Sequence, residues 1–501
     1  MPDLDPVFAG LPLAALADAA LSRARDLGAQ HADLRVERIV SQSVDLRDGR
    51  VTGVADDVAV GLAVRVIVDG VWGFASHGDL TPDRAAATAE RAVAVARTLA
   101  PVAIERVERA DEPVHAGVEW ISAYDVDPFD VPTRDKVGLL TEWSQRLLAS
   151  DGVDHVHAGV AQVRENKFYA DLTGTRTTQQ RVRIAPAFTA TAVDRGAGAF
   201  ETMSSLAPPA GRGWEYLTGT GWDWDAELAE VPALLAEKTK APSVIAGAYD
   251  LVIDPTNLWL TIHESVGHAT EYDRAIGYEA AYAGSSFATP DLLGTLRYGS
   301  EHMHVTGDRT VPHGLATVGY DDDGVATTEW DLVRDGVLVG YQLDRTFAPR
   351  LGLERSNGCA FADSPHHVPI QRMANVSLQP DPVRDTSTEE LVAGVERGIY
   401  VVGDKSWSID MQRYNFQFTG QRFYKIENGQ LAGQLRDVAY QATTTDFWGS
   451  LDAVGGPSTW VLHGAMNCGK AQPGQVAAVS HGCPSARFRG VTVLNTQEEG
   501  S

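Results

Sequence analysis

Five of the seven Asp-Gly and Asn-Gly dipeptides in this 501-residue chain predict tight reversals of the backbone, and they constrain its fold more than any other feature of the sequence. They lie at 48–49, 69–70, 323–324, 335–336 and 428–429. Asp, Asn and Gly tolerate the positive φ angles that two-residue hairpin turns require. Apolar residues surround the first two turns, as in segments 61–68 and 71–75. We therefore expect antiparallel strands, beginning with a hairpin at Asp48-Gly49.

The N-terminal half of the chain alternates between helical and strand-like spacing of its apolar residues. Apolar positions recur at helical spacing from Leu13 to Leu27, and Gly28 follows as a stop signal. The period then changes to two, since Leu34 and Val36 alternate with charged residues. An alanine-rich segment over about 82–99 predicts another helix, and segment 154–193 is again strand-like. This half is predicted to be mixed α/β with an antiparallel sheet.

A boundary is indicated near residues 240–247, where a short helix predicted over about 225–240 ends before Pro242. Beyond it, a buried strand over 249–254 leads into a helix that contains His263, and the chain after about Thr306 is mostly strand-like. A chain of this length is long enough for two or three domains. We predict an α+β protein with an N-terminal α+β domain over 1–242. A strand-rich, β-barrel-like domain over 243–501 would carry the helix that contains His263.

Charge, apolar runs and cysteine content exclude several classes of protein. The sequence has 67 acidic and 42 basic residues, a formal charge of −25, which disfavours direct binding to nucleic acid. The sequence contains no run of eighteen apolar residues, so no membrane span is predicted. The N-terminus lacks the basic and apolar pattern of a signal peptide. Three cysteines cannot form a disulfide framework. We expect a cytoplasmic protein in which any special cysteine is a metal ligand or a nucleophile.

One short segment, 261–268, contains two histidines and a glutamate beside an apolar strand. Its sequence is Thr-Ile-His-Glu-Ser-Val-Gly-His, so His263, Glu264 and His268 lie within six residues. Imidazole suits zinc, and a catalytic zinc site keeps three protein ligands and one water. A glutamate that is not a ligand can accept a proton from that water. The segment therefore predicts a zinc site, although histidines at a helix end can also be ordinary polar residues.

The spacing of the two histidines distinguishes this segment from the common zinc-peptidase helix motif. In that motif the histidines are four residues apart and share one helix face, whereas His263 and His268 are five apart. In a regular α-helix, five residues turn the chain by roughly 140° beyond a full turn, which separates the two rings. A π-type turn would close residue i to i+5, and Gly267 could help to accommodate it. Local unwinding of the helix is the alternative.

The third ligand has three candidates among the cysteines. Cys468 follows a strand-like segment and precedes Gly469 and Lys470, in a setting that could favour the thiolate. Cys483 and Cys359 are its rivals, and from composition alone each of the three could be an inert buried thiol. The residues themselves leave this choice open.

Motifs throughout the chain resemble those of the TldD/PmbA family, known as peptidases and as modulators of DNA gyrase. The resemblance covers nearly the whole length and rests on segments 32–38, 48–51, 61–66, 73–75, 249–255, 263–268, 321–324, 340–344, 372–375 and 467–470. The TldD-like branch keeps the His-Glu-x-x-x-His motif, whereas the PmbA-like, or TldE, branch lacks it. Because His263, Glu264 and His268 are all present, the chain is similar to the TldD branch.

This resemblance implies one zinc ion per chain, held by His263, His268 and Cys468, with Glu264 as the general base. It also implies cleavage of unfolded or small peptides, which could enter as an added strand. The subunit would pair as a homodimer or as a heterodimer with a PmbA/TldE-like paralogue. Segments 256–259, 408–418 and 480–488 depart from the family pattern, and they concern substrate preference and partner more than the metal.

A non-catalytic role as a peptide-binding or scaffold subunit is the alternative function. Further ligands that close the metal site, such as His463 or His481, would favour it. A regulator that acts on gyrase through DNA contact is disfavoured by the charge of −25. Other suggestive residues have ordinary explanations: we expect 321–324 to be a hairpin turn, the pair His366-His367 to be exposed or structural, and Lys470 to lie at the surface.

Overall fold

The predicted turns join antiparallel strands at four of these five positions in the computed structural model, which describes residues 2–196 and 198–497. At these four, both central residues have φ between 49° and 76°, as a type I′ hairpin turn requires. The fifth position, Asp323-Gly324, also forms a turn, but only Gly324 has a positive φ and the whole turn is buried. The turn residues thus organise strands in both halves, as expected.

The helices and strands are numbered in chain order. The α-helices are α1 Pro6–Ala9, α2 Leu13–Asp26, α3 Pro82–Leu99, α4 Thr133–Leu148, α5 Trp224–Lys238, α6 Pro255–Ile262, α7 Tyr272–Ala275, α8 Thr388–Ala393 and α9 Thr444–Gly449. The first seven strands are β1 His31–Arg47, β2 Arg50–Val68, β3 Val71–His77, β4 Ala116–Ile121, β5 His155–Asp171, β6 Arg176–Asp194 and β7 Ala199–Ser204. The next seven are β8 Gly247–Ile253, β9 Val305–Asp308, β10 Glu329–Arg334, β11 Val337–Leu338, β12 Ala360–Phe361, β13 Ile370–Gln371 and β14 Asn375–Leu378. The last eight are β15 Arg397–Ile409, β16 Asn415–Glu427, β17 Gln430–Leu435, β18 Val438–Thr443, β19 Leu451–Val454, β20 Val461–Lys470, β21 Gln475–Cys483 and β22 Ala486–Asn495.

The N-terminal sheet has the order β3-β2-β1-β5-β6-β4, with β7 beside β6, and is antiparallel except between β4 and β6. Successive side chains of β1 point to opposite faces. Leu34 and Val36 belong to a core formed with α2 and α3, and Val44 and Leu46, farther along the same strand, belong to a second core formed with α4 and α5. Helix α4 has no counterpart among the predicted elements, although its buried residues have helical spacing.

The other face of β1 presents buried charges to the C-terminal half of the chain. Arg35 lies between Leu34 and Val36, and its Nη2 atom donates to the carbonyl oxygens of Ser364 and His367 at 3.1 and 2.7 Å. The same alternation that buries apolar residues under the helices therefore places polar residues against the second half of the molecule. This explains why charged residues interrupt an otherwise apolar strand.

Asp322 and Asp323 of segment 321–323 form ion pairs with basic residues of the N-terminal sheet. Lys167 Nζ lies 2.7 Å from an oxygen of Asp322, and Arg65 Nη2 lies 2.5 Å from an oxygen of Asp323. Lys167 also donates to the carbonyl of Ala362 at 2.9 Å. The segment is a turn, as predicted. Its three carboxylates are buried: Asp322 and Asp323 form the ion pairs, and Asp321 accepts from the backbone amides of Asp323 and Val325. Proximity to Arg65 lowers the pKa of Asp323 against the opposing effect of burial.

A closed five-stranded barrel forms the centre of the C-terminal half. Its order is β15-β8-β22-β18-β16, and β16 pairs back to β15. The barrel belongs to a large apolar core rich in aromatic residues, including Phe416, Tyr440, Phe447, Trp448 and Phe488. The predicted α+β class, with an antiparallel N-terminal sheet and a barrel-like C-terminal region, is confirmed. The division at 242/243 remains a prediction.

None of the helices formed by the described residues combines the length and the apolar character needed to cross a membrane.

Candidate metal centre

The segment that contains His263 follows directly from barrel strand β8. Asp254 caps α6, because its side chain accepts a hydrogen bond from Thr256 N at 3.0 Å, and Pro255 occupies the first helical turn. All eight residues of α6 are buried, which suits a helix whose residues are mostly apolar. The helix continues as a π-helical turn over His263–Gly267, in which His268 N donates to the carbonyl of His263. The π-type turn is therefore the solution adopted for the five-residue spacing.

This turn brings His263 and His268 together with Cys468 from β20. The candidate ligand atoms of the three residues all lie within 4.8 Å of one another, and all three residues are buried. Cys468 Sγ is 3.6 Å from His268 Nε2. The other cysteines lie elsewhere: Cys483 is directed at the carbonyl of Pro255, and Cys359 contacts Asn357. Of the three cysteines left open by the sequence, Cys468 is the one that the fold places beside both histidines.

His268 is oriented by a carboxylate and a buried lysine. Its Nδ1 atom lies 2.8 Å from Glu271 Oε2, so Nδ1–H donates there and Nε2 is left facing Cys468. Glu271 in turn accepts from Lys470 Nζ at 3.0 Å, and Lys470 also donates to Asp273 at 2.8 Å. Burial lowers the pKa of His268 to about 3, so the ring is neutral and able to ligate.

The burial of Lys470 contradicts one prediction made from the sequence. This residue was expected at the surface, but it is almost completely buried and lies within 3.6 Å of three carboxylates, the third being that of Glu279. A buried ammonium requires such partners because of its desolvation cost.

The predicted exposure of the pair His366-His367 is confirmed. Glu271, which contacts Nδ1 of His268, lies only three residues after it in the sequence, but this contact was not predicted.

His263 contacts another histidine through its second nitrogen. Its Nδ1 atom is 2.7 Å from Nε2 of His481, and Nδ1 of His481 is 2.8 Å from the carbonyl oxygen of Val376. Burial lowers the pKa of His263 most, and the neighbouring His268 and His481 lower it further. His463, the other histidine considered as a further ligand, stacks on Trp259 with its ring centroid 4.8 Å away.

Arg372 lies against the cysteine. Its Nη2 atom donates to the Cys468 carbonyl at 2.6 Å and lies 3.3 Å from Cys468 Sγ, while Nη1 donates to the carbonyl of Gln475 at 2.9 Å. Burial raises the pKa of the Cys468 thiol to about 12, and the guanidinium acts in the opposite direction. A divalent cation would further favour the thiolate, as metal binding to cysteine generally does.

Glu264 is buried beside the two histidines and pairs with Arg413. Burial raises the pKa of Glu264, whereas the Arg413 guanidinium and a hydrogen bond from the Trp407 side chain lower it. Arg413 is held in a tight turn after β15, with φ 64°, in which Asp410 accepts from Tyr414 N at 2.8 Å. This turn lies within segment 408–418, one of the departures from the family pattern.

The donor set fits a catalytic zinc ion. Two neutral imidazoles and a thiol are ligands that zinc prefers, and three of them leave a position for water. Among the described residues, no fourth His, Cys, Asp or Glu joins the group formed by His263, His268 and Cys468. Glu264 lies next to the group without belonging to it, as a general base would.

Comparisons with known proteins identify the relatives of this chain. A family model described as the PmbA/TldA metallopeptidase C-terminal domain matches residues 246–495, and one described as PmbA/TldA metallopeptidase domain 1 matches residues 32–96. A metalloprotease of Methanothermobacter thermautotrophicus is 28% identical over 93% of this chain and 96% of its own. A zinc metalloprotease TldD homolog of Saccharolobus solfataricus is 23% identical over 94% of this chain and 98% of its own.

Two solved structures share the fold. A Thermotoga maritima protein named as a modulator of a DNA gyrase superposes with a TM-score of 0.74 at 16% identity, over 95% of this chain and 99% of its own. TldE from Thermococcus kodakarensis superposes with a TM-score of 0.67 at 14% identity, over 94% of this chain and 98% of its own. At these identities the likeness extends to the fold alone.

Proposed function

Because the chain belongs to the TldD/PmbA family of metallopeptidases, we propose that it is a zinc-dependent peptidase acting on unfolded or small peptides. The observation that carries the proposal is the convergence of His263, His268 and Cys468 within 4.8 Å, with Glu264 adjacent. These three residues would hold one zinc ion per chain. Zinc bound there would polarise a peptide carbonyl and lower the pKa of a bound water.

The protein's own groups would perform the proton transfers. Glu264 accepts a proton from the attacking water and passes it to the leaving amine. Its pairing with Arg413 opposes the rise in pKa that burial causes and fixes the direction of the carboxylate. The rings of His263 and His268 are held by hydrogen bonds to His481 and Glu271, so they are oriented before any ligand binds.

An extended peptide is the substrate that suits the surroundings of Cys468. Among the described residues, β20 pairs as a strand only with β21, and we propose that an extended peptide adds to its other edge. Pairing with a second copy, or with a PmbA/TldE-like paralogue, is part of the proposal, supported by the resemblance of the fold to TldE. A non-catalytic binding role is less well supported, because the group of candidate ligands has three members and not four.

Metal content and peptide cleavage, measured on the same preparations, test this function. Wild type and Glu264→Gln should each contain about one zinc per chain, and only wild type should cleave a small unstructured peptide. Cys468→Ser should lose the metal, whereas the matched variant Cys483→Ser should retain it. Absence of zinc from wild type after zinc is supplied, or full activity in Glu264→Gln, would contradict the proposal. Cleavage should be assayed with the chain alone and with a PmbA/TldE-like partner.

A further inference from the structure

Two histidines occupy paired positions on neighbouring strands behind the candidate metal centre. His463 on β20 is opposite His481 on β21, and both are buried. Both stack on the indole of Trp259, with centroid distances of 4.8 and 6.1 Å and interplanar angles of 11° and 17°. They therefore pack on the same indole, but their hydrogen bonds differ: His481 is bonded to His263, whereas Nδ1 of His463 accepts from Gly464 N at 2.8 Å.

The hydrogen bonds around His481 determine which nitrogens carry protons. The carbonyl oxygen of Val376 can only accept, so Nδ1 of His481, at 2.8 Å, must donate to it. In a neutral ring, Nε2 of His481 is then an acceptor, and Nδ1–H of His263 donates to it across 2.7 Å. This leaves the lone pair of His263 on Nε2, the nitrogen that does not contact His481.

The backbone around His481 is held on both sides. Gly482 N donates to the hydroxyl of Ser377 at 2.9 Å, and Ser480 N donates to the side chain of Asn375 at 3.2 Å. Each of three successive residues of β21 is thus bonded to β14, the strand that supplies the Val376 carbonyl. The ring of His481 has little freedom to move away from His263.

We infer that His481 is a positioning residue that fixes the tautomer and orientation of His263, so that Nε2 of His263 is the atom presented to the metal. This inference rests on the proposed function, since it assumes that His263 is a ligand. It also assigns His481 a role other than fourth ligand, because its Nε2 lone pair is engaged by His263. Outer hydrogen bonds of this kind commonly change metal affinity by about 10–100-fold.

The paired histidine His463 supplies a matched control for the experiment. His481→Phe and His463→Phe both keep an aromatic ring against Trp259, but only the first removes a contact to His263. The dissociation constant of zinc would be measured on the full-length protein by competition with a chelator. The thermal midpoint of the metal-free protein would be measured in parallel, because a merely structural role would lower it.

We expect His481→Phe to weaken zinc binding by about 10–100-fold and His463→Phe by less than about twofold. The two variants should have similar midpoints without metal. His481→Gln, whose amide oxygen can accept from His263, should bind zinc more tightly than His481→Phe. Unchanged zinc affinity in His481→Phe, or an equal loss in His463→Phe, would overturn the inference alone. Failure of wild type to bind zinc would instead overturn the proposed function, and the inference with it.

Discussion

Nη2 of Arg372 contacts both the carbonyl oxygen and the sulfur of Cys468, at 2.6 and 3.3 Å. The guanidinium is buried, so its charge acts on the thiol with little screening by water. One side chain thus fixes the backbone that presents the cysteine and makes the environment of its sulfur more positive.

Replacing Arg372 should therefore weaken metal binding. We expect Arg372→Gln to lower zinc affinity about tenfold or more, equivalent to ~1.4 kcal/mol or more, and Arg372→Lys to have a smaller effect because it keeps the charge. Chelator competition measures this. Arg309→Gln, which alters a buried arginine beside Asp321, is the control and should leave zinc affinity unchanged. Equal affinities in Arg372→Gln and wild type would contradict the assigned role.

Arg413 should affect catalysis without affecting metal content. Arg413→Gln removes the ionic partner of Glu264, so the base is less well oriented and its charged form is less favoured. We expect peptide cleavage to fall by about 10–100-fold, less than on loss of the base itself, while zinc stays bound. Lys425→Gln, on the same hairpin but in an exposed ion pair, should leave both unchanged. An Arg413→Gln enzyme with full activity would show that Glu264 does not depend on this contact.

Lys167 should be important for stability. Its ammonium lies 2.7 Å from Asp322 and 3.2 Å from Glu37, and all three residues are buried. Lys167→Met removes one of the two cations that face these buried carboxylates and leaves only Arg35, so we expect the free energy of unfolding to fall by about 3–5 kcal/mol. Denaturant titration measures the change. Lys425→Gln, whose ion pair with Glu427 is exposed, should cost less than about 1 kcal/mol. A similar small loss in both variants would refute the importance of the buried cluster.

Asp344 should make stability depend on pH. Burial, and then the nearby Asp323, raise the pKa of Asp344 to about 7 from an ordinary value of 3.8. Between these values the folded chain holds a proton that the unfolded chain has released, so stability falls as pH rises through this window. Asp344→Asn mimics the protonated form, and its side-chain oxygen can still accept from Thr346 N and Phe347 N.

Denaturant titrations at pH 5 and pH 8 measure this dependence. Wild type should lose more free energy of unfolding than Asp344→Asn between the two pH values. The comparison between the two proteins removes the contribution of other groups. An equal change in both would show that Asp344 is already ionised at pH 5.

Gly73 should tolerate no side chain. A Cβ atom added to this residue of β3 would lie 2.0 Å from the carbonyl oxygen of Ala92 and 2.8 Å from the amide of Ala96, so helix α3 would have to move. We expect Gly73→Ala to cost about 1–3 kcal/mol of stability. Gly53→Ala is the control, since a Cβ there meets no atom within 4 Å. Thermal or denaturant unfolding of both variants distinguishes the two sites.

The local parts of the candidate centre could be predicted from the sequence. His263, Glu264 and His268 lie within six residues, and their spacing left a π-type turn or local unwinding of the helix as the two possibilities; the π-type turn is observed over His263–Gly267. The I′ turns were predictable for the same reason, because their conformation depends on two adjacent residues.

The outer contacts of the centre could not be predicted in this way. His481 is 218 residues from His263, and Arg413 is 149 residues from Glu264, so only the folded barrel and its neighbouring strands bring them together. Lys470 was expected at the surface, where most lysines lie. Its burial depends on Glu271, Asp273 and Glu279, which reach it from a distant segment.

The buried pairing of Lys167 with Asp322 has a consequence for synthesis on the ribosome. The two residues are 155 positions apart, so at about 5–20 residues per second Lys167 exists for roughly 8–30 s before Asp322 is made. During that interval the charged face of the N-terminal sheet is open to water and to other proteins. The nascent chain therefore passes through a stage in which this charged surface is solvated and not yet covered by the later segment, and a chaperone that binds such surfaces would have time to act.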